Sequence, residues 1–488
     1  MSVENVQTRP GYADSVTLMR LSADVRQVSG VRAALVAMAT ELNVGLLDEM
    51  GFQAKTDIQP DRLLIAVRAD DDAAVDSALA VVSAALFARS AGESVAAGSP
   101  EQAPRTTTAA VRASGPGLAL ISVPGRYAFA EAMDALDAGC DVMIFSDNVP
   151  VEQEILLKDI AAQRGLIVMG PDCGSAVVGG VGLGFSHTLR AGPVGMVAAS
   201  GTGAQQMLCL LDYAGTGVSA ALGVGGRDLS AAVGGRSARA ALAALDADPG
   251  TELIILVSKP PAADVAARLR DFAMSLATPV QFALIAPGEP DLTAATETAL
   301  RTLGLPVPAW PSWPAHDGPH SGGALRGLFS GGTLCDEAMV IASDRLGPIR
   351  SNIPLRPEWR LAPRTPTAGH VMIDFGDDEL TVGRAHPMID QSLRLERLAA
   401  EAGDPAVGVI VLDVVLGHGA HPDPAAELSP AIATAQARGR AAVVVSLIGT
   451  KSDPQDLGRQ AATLQAAGAH VFASNAAAAR FACDLVAP

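Results

Sequence analysis

The chain has 488 residues, a formal net charge of −17 and only 3% aromatic residues. The acidic charge and the scarcity of aromatic rings argue against a nucleic-acid partner, because phosphate contacts need basic side chains and base stacking needs rings. No apolar run approaches the roughly 18 residues of a membrane span, and the N-terminus lacks the apolar core of a signal peptide, so we expect a cytoplasmic protein without a membrane partner.

The first region, residues 1–92, is predicted to form a small α+β domain. We assign SVTLMRL (15–21) to a strand, VRAALVAMATELNVGLLDEMG (31–51) to a helix, DRLLIAVRA (61–69) to a strand, and the segment after Asp70 to a long helix with an acidic start. Residues 93–111 are rich in small and polar residues, which predicts a linker. No catalytic constellation occurs here, so we interpret the domain as a docking or regulatory one.

Residues 112–190 alternate apolar strands and amphipathic helices, which predicts a parallel-sheet domain of the Rossmann type with ligands at the carboxyl ends of its strands. The loop GPDCGSAV (170–177) places Asp172 and Cys173 at such an end, and we take both as candidate substrate contacts. Cys173 as a nucleophile would need a histidine for which the sequence gives no evident place, so a structural loop residue is the alternative. The five cysteines form neither a C-x-x-C pair nor a cluster with histidine, which predicts reduced thiols and no metal site.

Residues 191–305 are predicted to form a first flavodoxin-like domain. In GPVGMVAASGTG (192–203) a buried strand ends in Ser200, Gly201, Thr202 and Gly203, and a helix follows. Helix N-termini carry unpartnered N–H groups that favour anions, so we predict a phosphate-binding turn; an ordinary strand–loop–helix joint with a serine cap is the alternative. In GVGGRD (223–228), Gly225, Gly226, Arg227 and Asp228 are candidate substrate contacts, although Arg227 and Asp228 could equally form a surface salt bridge.

Residues 306–323 are rich in proline and are interpreted as a connector, and residues 324–488 as a second flavodoxin-like domain. Here the strand–turn–helix pattern returns at two places, which we take as candidate substrate- and phosphate-binding turns: Ser330, Gly331, Gly332 and Thr333, and then Gly417, His418, Gly419 and Ala420. If the two flavodoxin-like domains face each other, two helix dipoles converge on one small anion. The predicted fold class is therefore α/β, with several parallel-sheet domains behind a small α+β domain.

These motifs carry a resemblance to a known family. GPDCGSAV, GPVGMVAASGTGAQQM and GVGGRD resemble segments of the succinyl-CoA synthetase α chain. LFSGGTLCDEAM, VMIDFGDDELTVGRAHPMIDQSL, VIVLDVVLGHGA and VVSLIGT resemble, in the same order, the carboxy-terminal domain of its β chain. The fused layout behind a small N-terminal domain, together with SVPGRY and VGRAHPMIDQ, is similar to that of the FdrA family, and the resemblance covers roughly residues 110–488.

The resemblance implies a phosphate site between two facing helices, formed by Ser200, Gly201 and Thr202 and by Gly417, His418 and Gly419. The chain departs from the synthetases in three respects. The segment after PVQFALIA lacks the histidine that the α chain phosphorylates, no counterpart of the glycine fingerprint of the CoA-binding domain precedes Thr106, and the ATP-grasp half of the β chain is absent. A complete CoA site is therefore not expected.

FdrA proteins are associated with oxamate carbamoyltransferase of ureide breakdown, which acts with partner subunits. The resemblance thus implies phosphorolysis of a ureido acid such as oxalurate to oxamate and carbamoyl phosphate, in a hetero-oligomer with other carbamoyltransferase subunits. His418 and His421 are the candidates for steadying phosphate or moving a proton. Two alternatives remain open: a subunit of an NDP-forming acyl-CoA synthetase whose missing parts lie on a partner, and a non-catalytic phosphate-binding scaffold.

Overall fold

The computed structural model describes every residue except 1, 12, 14, 53–58, 60–61, 94–103, 105, 316–321, 362–368, 382–384, 439–440 and 488. The chain divides into two compact units. An N-terminal unit comprises Met1–Pro104 together with Asp378–Asp390, and a larger unit comprises Arg105–Asp377 and Gln391–Pro488. No described helix is both long enough and apolar enough to cross a bilayer.

The N-terminal unit is a small α+β fold, as predicted, built on an antiparallel sheet with strand order β1-β3-β2. Its elements are β1 (Val3–Pro10), α1 (Ser15–Arg26), β2 (Val31–Met38), α2 (Glu41–Glu49), β3 (Arg62–Ala69) and α3 (Asp72–Glu93). Two assignments were wrong: the predicted strand at 15–21 lies in α1, and the predicted helix at 31–51 is β2 followed by α2. Leu18, Leu21 and Val25 are buried at helical spacing, whereas β2 pairs along its length with β3.

The larger unit opens with a three-stranded parallel sheet, β4-β5-β6. Its elements are α4 (Thr107–Ser114), β4 (Leu118–Ile121), α5 (Gly125–Asp137), β5 (Asp141–Ile144), α6 (Val151–Arg164) and β6 (Val168–Met169). Helix α4 begins inside the predicted linker at 93–111, most of which lies outside the described residues. The domain boundaries proposed from the sequence therefore stay predictions.

A six-stranded sheet follows, with order β12-β11-β9-β10-β7-β8. Strands β9 to β12 run parallel, and the β7–β8 hairpin is antiparallel at one edge. The elements are β7 (Ser175–Val178), β8 (Val181–Gly184), β9 (Ala191–Ala199), α7 (Gly201–Tyr213), β10 (Val218–Gly223), α8 (Arg236–Asp246), β11 (Leu253–Ser258), α9 (Ala263–Ala273), β12 (Val280–Leu284) and α10 (Leu292–Thr302).

The last sheet has seven strands in the order β13-β19-β18-β17-β14-β16-β15, all parallel except β13. Strand β13 lies in the predicted connector and pairs with β19. The elements are β13 (Ser312–Trp313), β14 (Ala324–Phe329), α11 (Gly332–Leu346), β15 (Ile349–Arg350), β16 (His370–Asp374), α12 (Asp378–Thr381), α13 (Ser392–Glu401), β17 (Val407–Val415), α14 (Pro424–Ala437), β18 (Ala442–Ile448), α15 (Leu457–Ala466), β19 (His470–Phe472) and α16 (Asn475–Val486).

The central strands explain the apolar runs of the sequence. Every residue of β11, β14, β17 and β18 is buried, as expected for parallel strands that helices cover on both faces. This architecture confirms the predicted α/β class with several parallel-sheet domains behind a small α+β domain. In parallel sheets ligands bind at the carboxyl ends of the strands, so the turns after β9, β11, β14 and β16 are the place to look for a site.

Candidate functional site

The turn after β9 begins α7 as the sequence predicts. Ser200 is the N-cap, and its Oγ accepts a hydrogen bond of 3.1 Å from the amide of Gly203. The carbonyl of Ser200 accepts from Ala204. The amides of Gly201 and Thr202 have no acceptor among the described residues, as is usual in a first helical turn. They remain available to an anion.

The turn after β14 begins α11 in the same way, with Gly331 as the N-cap. The amides of Ser330 and Gly331 donate to the Asp413 carboxylate at 2.7 and 2.9 Å, and the Ser330 hydroxyl donates to it at 3.0 Å. Asp413 is itself buried against Arg394. Of the four residues predicted in this turn, Ser330 and Gly331 thus donate to Asp413, whereas the amides of Gly332 and Thr333 have no acceptor among the described residues.

The two helix starts lie against each other. The Ser200 hydroxyl donates a hydrogen bond of 2.7 Å to the Thr333 hydroxyl. A Cβ on Gly331 would lie 2.6 Å from both Oγ1 and Cγ2 of Thr202, so a residue with a side chain does not fit there. Each N-terminus carries about half a positive charge, and the pair forms an arrangement that favours a small anion.

The resemblance implied that the Ser200 turn faces the Gly417 turn, but in the structure the Ser200 turn lies against the Ser330 turn. The Gly417–Ala420 turn lies instead against residues 185–188, where His418 and Ser186 exchange backbone hydrogen bonds of 2.7 and 3.2 Å. The Gly417 amide donates to Gln455, and α14 begins only at Pro424 with Asp423 as its cap. The amides of Gly417 and His418 are therefore already used, and this turn is not a helix N-terminus.

The two candidate histidines lie in this second region. His418 Nε2 is 3.1 Å from the Thr188 hydroxyl. His421 accepts a hydrogen bond from the Asp423 amide through Nδ1, and its Nε2 lies 3.5 Å from the Glu427 carboxylate. Gly419 packs on the Phe185 ring, and Ala420 is buried. A catalytic role for either histidine stays a prediction.

A small cleft, partly open to solvent, joins three predicted loops, one from the Rossmann-type domain and two from the first flavodoxin-like domain. It brings together Asp172, Cys173, Ser200, Gly201, Gly225 and Gly226. Cys173 is buried, and burial raises the pKa of its thiol to about 12, so the thiolate is not available near neutral pH. The geometry favours the structural alternative for this residue.

Arg227 and Asp228 do not pair with each other. Arg227 binds the Val149 carbonyl at 2.8 Å and the Glu154 carboxylate at 3.0 Å. Asp228 is fully buried, pairs with Lys158 at 2.8 Å, and accepts hydrogen bonds from the amides of Ser237 and Ala238 at the start of α8. The structure thus places Asp228 inside the domain, where its oxygens already have partners.

Three charged residues that the sequence analysis did not single out border the paired helix starts. A Cβ on Gly332 would lie 2.7 Å from Asp374 Oδ2 and 3.2 Å from Lys259 Nζ. Asp336 lies in α11 and is buried. Lys259 follows β11 and Asp374 ends β16. Because ligands bind at the carboxyl ends of parallel strands, these positions could have identified both residues as candidates from the sequence.

The charges of these groups depend on one another. Burial raises the pKa of Asp336 and of Asp374 to about 7, although the Lys259 ammonium opposes the rise. Burial disfavours the charged form of Lys259, but the carboxylates of Asp374 and Asp336 outweigh it, and the pKa of Lys259 is raised. Near neutral pH the region therefore holds one ammonium group and two carboxyl groups that are each partly protonated.

Comparison with known proteins adds the family. The sequence profile of the CoA-ligase family matches residues 328–485, and that of the AllF heavy metal-associated domain matches residues 1–104. The α subunit of ADP-forming succinate–CoA ligase from Aquifex aeolicus is 29% identical over 160 residues, which are 32% of this chain and 51% of that subunit. The solved dinucleotide-forming acetyl-coenzyme A synthetase 1 of Ca. Korarchaeum cryptofilum is 16% identical, with a TM-score of 0.28 over 76% of this chain and 84% of that one.

The N-terminal match names a heavy-metal domain, but the residues present do not fit a heavy metal. Residues 1–104 contain neither cysteine nor histidine, the side chains that soft metal ions prefer. Across the described residues no group of three or more His, Cys, Asp or Glu side chains could hold a metal ion. The likeness therefore concerns the small α+β fold.

These matches contradict the predicted carbamoyltransferase. The profile over residues 328–485 and the matched α subunits are those of CoA ligases, and none of these matches connects the chain with carbamoyl phosphate or with oxamate carbamoyltransferase. The prediction was wrong because it relied on the resemblance to the FdrA family and on the association of that family with oxamate carbamoyltransferase. The alternative of an NDP-forming acyl-CoA synthetase fits better, and CoA becomes a plausible substrate.

A full-length relative then fixes the family. The uncharacterized protein YahF of Escherichia coli K12 is 37% identical over an alignment of 508 positions that covers 97% of each protein. The likeness includes the N-terminal unit as well as the succinyl-CoA synthetase-like part. The chain therefore belongs to the same family as YahF.

Proposed function

We propose that the chain is a CoA-ligase-type protein that exchanges phosphate and CoA on an acyl group. In this reaction an acyl phosphate and CoA give an acyl-CoA and inorganic phosphate, and the reverse reaction is equally accessible. The observation that carries the proposal is the hydrogen bond of 2.7 Å between Ser200 and Thr333, because it holds the N-termini of α7 and α11 together. The match of residues 328–485 to the CoA-ligase profile supports the same chemistry.

The phosphoryl group would lie over the free amides of the two first turns. Gly201 and Thr202 supply donors from α7, and Gly332 and Thr333 supply donors from α11. Lys259, beside Gly332, adds a full positive charge where negative charge develops on the departing phosphate. The acyl group would extend into the cleft beside Asp172 and Gly225.

The nucleotide-dependent step belongs to a partner chain in this proposal. The matched relatives are described as α subunits, and this chain aligns with about half of their length. A partner would form the acyl phosphate from nucleotide, and this chain would pass the acyl group to CoA. Purification of the chain from its source cells, followed by a nucleotide-dependent ligase assay of what accompanies it, tests this part.

Arsenate provides a direct test that needs neither nucleotide nor partner. Arsenate replaces phosphate, and because an acyl arsenate hydrolyses spontaneously, each turnover releases free CoA irreversibly. We expect the wild-type chain to release CoA thiol from at least one of acetyl-, propionyl- and succinyl-CoA only when arsenate is present. Lys259→Met should lower kcat/KM for arsenate by about 10- to 100-fold, the effect of losing a charged hydrogen-bond donor.

The matched control is Lys451→Met. Lys451 is exposed, and its Nζ lies 5.8 Å from the centroid of the Tyr213 ring, so the substitution should leave the arsenate reaction unchanged. Calorimetric titration with phosphate separates binding from catalysis. Phosphate binding without any thiol release would contradict the proposed exchange and favour a non-catalytic scaffold, whereas an absence of phosphate binding would contradict the site itself.

A further inference from the structure

We propose that Asp374 is the catalytic base that takes the proton from the CoA thiol and returns it to the departing phosphate. The inference rests on the proposed function and adds a specific residue to it. Asp374 is buried, ends β16 and lies beside the first turn of α11.

The sheet fixes where Asp374 lies. In the parallel pairing of β14 and β16, Asp374 is the register partner of Phe329, the residue directly before the Ser330 turn. Asn352 clamps the backbone of Asp374 with two hydrogen bonds, accepting from its amide at 3.0 Å and donating to its carbonyl at 2.9 Å. These contacts fix the position of the Asp374 backbone, so its carboxylate is held beside the start of α11.

The two carboxylate oxygens of Asp374 have different surroundings. Oδ1 accepts a hydrogen bond of 2.9 Å from the Gly376 amide. Oδ2 accepts none from the described residues and points at Gly332, where a Cβ would lie only 2.7 Å away. Since the Gly332 amide is one of the proposed phosphate donors, Oδ2 lies next to the atoms that react.

The chemistry needs a group of this kind. As the CoA sulfur bonds to the acyl carbon, the thiol proton moves to Asp374 Oδ2. The bond between the acyl carbon and the phosphate oxygen then breaks, and the electron pair leaves on that oxygen. The proton passes from Oδ2 to the same oxygen, so the products are acyl-CoA and monohydrogen phosphate, and Asp374 is again ionised.

The charged and titratable groups around Asp374 keep it able to exchange a proton near neutral pH. Burial, Asp336 and Asp413 raise the pKa of Asp374, whereas Lys259 and the Gly376 amide lower it, and the result is about 7. A base with such a pKa is matched to reaction at neutral pH. The groups that interact electrostatically with it come from four neighbouring elements: Lys259 after β11, Cys335 and Asp336 in α11, Arg394 in α13 and Asp413 in β17.

The test compares thiol and selenol nucleophiles in Asp374→Asn. The assay measures thioester formation between about pH 5.5 and pH 8.5. Its substrates are CoA and an acyl phosphate, which carries the acyl group that the arsenate assay identifies. Wild type should show a break in kcat/KM for CoA near pH 7. Asp374→Asn should lose about 100-fold or more and lack the break, but keep its phosphate affinity. Seleno-CoA, whose selenol is ionised at neutral pH, should restore the rate of the variant.

Asp344→Asn, an exposed substitution in α11, is the control and should behave like wild type. If the rate of Asp374→Asn is within twofold of wild type, the inference about Asp374 is wrong but the proposed function stands. The same holds if Asp374→Asn loses as much rate with seleno-CoA as with CoA. An inactive wild type would instead remove the proposed function. If Asp374→Asn does not fold, the pH profile of the wild type tests the inference by itself. The break in kcat/KM near pH 7 must then disappear when seleno-CoA replaces CoA.

Discussion

At the scale of single residues, the proposed site depends on how closely two backbones approach. Gly331 has an extended backbone, φ −119° and ψ 114°, so it is not required for its conformational freedom. It is required because Thr202 of the opposite helix start occupies the space that a side chain would need. Gly203 is confined in the same manner, by Ser200 Oγ at 2.4 Å and Thr333 Cγ2 at 2.9 Å from an added Cβ.

A single methyl group should therefore separate the two helix starts. We expect Gly331→Ala to destabilise the protein by about 1–3 kcal/mol, the usual cost of overpacking, and to weaken phosphate binding at least tenfold. Thermal unfolding and calorimetric titration measure the two effects. Gly201→Ala is the control for stability, because an added Cβ meets nothing within 4 Å there. Equal melting temperatures of the two variants would contradict the close approach.

Sequence reasoning found some of these residues and missed others for a physical reason. The sequence offers Ser200 or Thr202 as the cap because caps are local, and in the structure the Ser200 side chain bonds an amide three residues later. Lys259, Asp336 and Asp374 were missed because their significance arises from three separate elements that meet only in the fold. The pairing of the 200–203 turn with the 330–333 turn, rather than with 417–420, likewise depends on packing between sheets.

At the scale of elements, helix α8 is held by a buried charge network. Lys158 Nζ, on α6, bonds Glu154 at 2.7 Å, Asp228 at 2.8 Å and the Val224 carbonyl at 3.0 Å, and all three charged side chains are buried. Asp228 in turn accepts from the amides that begin α8. One lysine thus connects two helices and the loop that borders the cleft.

Removal of that lysine should be costly. Lys158→Met would leave the Asp228 carboxylate buried without its cation, and we expect a loss of about 3–5 kcal/mol in the free energy of unfolding, measured by urea denaturation. Arg268→Met removes an exposed pair with Asp264 four residues earlier and should cost less than about 0.5 kcal/mol. Comparable losses in the two variants would show that the buried network does not stabilise α8.

The elements themselves were predicted best where the apolar pattern was long. The buried strands β9, β11 and β17 and the long helix α3 follow directly from their sequences. The N-terminal segments SVTLMRL and VRAALVAM contain similar residues in short runs, and tertiary pairing with β3 decides between helix and strand. That pairing is not visible in a single segment.

At the scale of the whole molecule, buried carboxyl groups should make stability depend on pH. The pKa of Asp336 is raised by burial from 3.8 to about 7, so the folded state binds more protons than the unfolded state between these values. The free energy of unfolding therefore falls as pH rises from about 4 to about 7 and levels off above it. Burial also raises the pKa of Glu337 to about 7, so its titration likewise lowers the free energy of unfolding as pH rises.

Asp336→Asn isolates one of these contributions. The amide carries no charge at any pH, so the stability of the variant relative to wild type should rise by roughly 2–3 kcal/mol between about pH 5 and pH 7. Urea denaturation at several pH values gives this difference, from which the titrating groups that do not interact with Asp336 cancel. Asp344→Asn, exposed on the same helix, should give a nearly constant difference. A flat difference for Asp336→Asn would mean that its carboxyl is not desolvated.

The hydrogen bond between Ser200 and Thr333 joins side chains 133 positions apart and is one of several contacts across the two flavodoxin-like domains. Gln206 bonds the backbone of Ala473 and Asn475, and Thr293 bonds Ser474, so non-covalent contacts hold the two domains in register. We therefore expect the two domains, produced as separate polypeptides, to reassemble through these contacts.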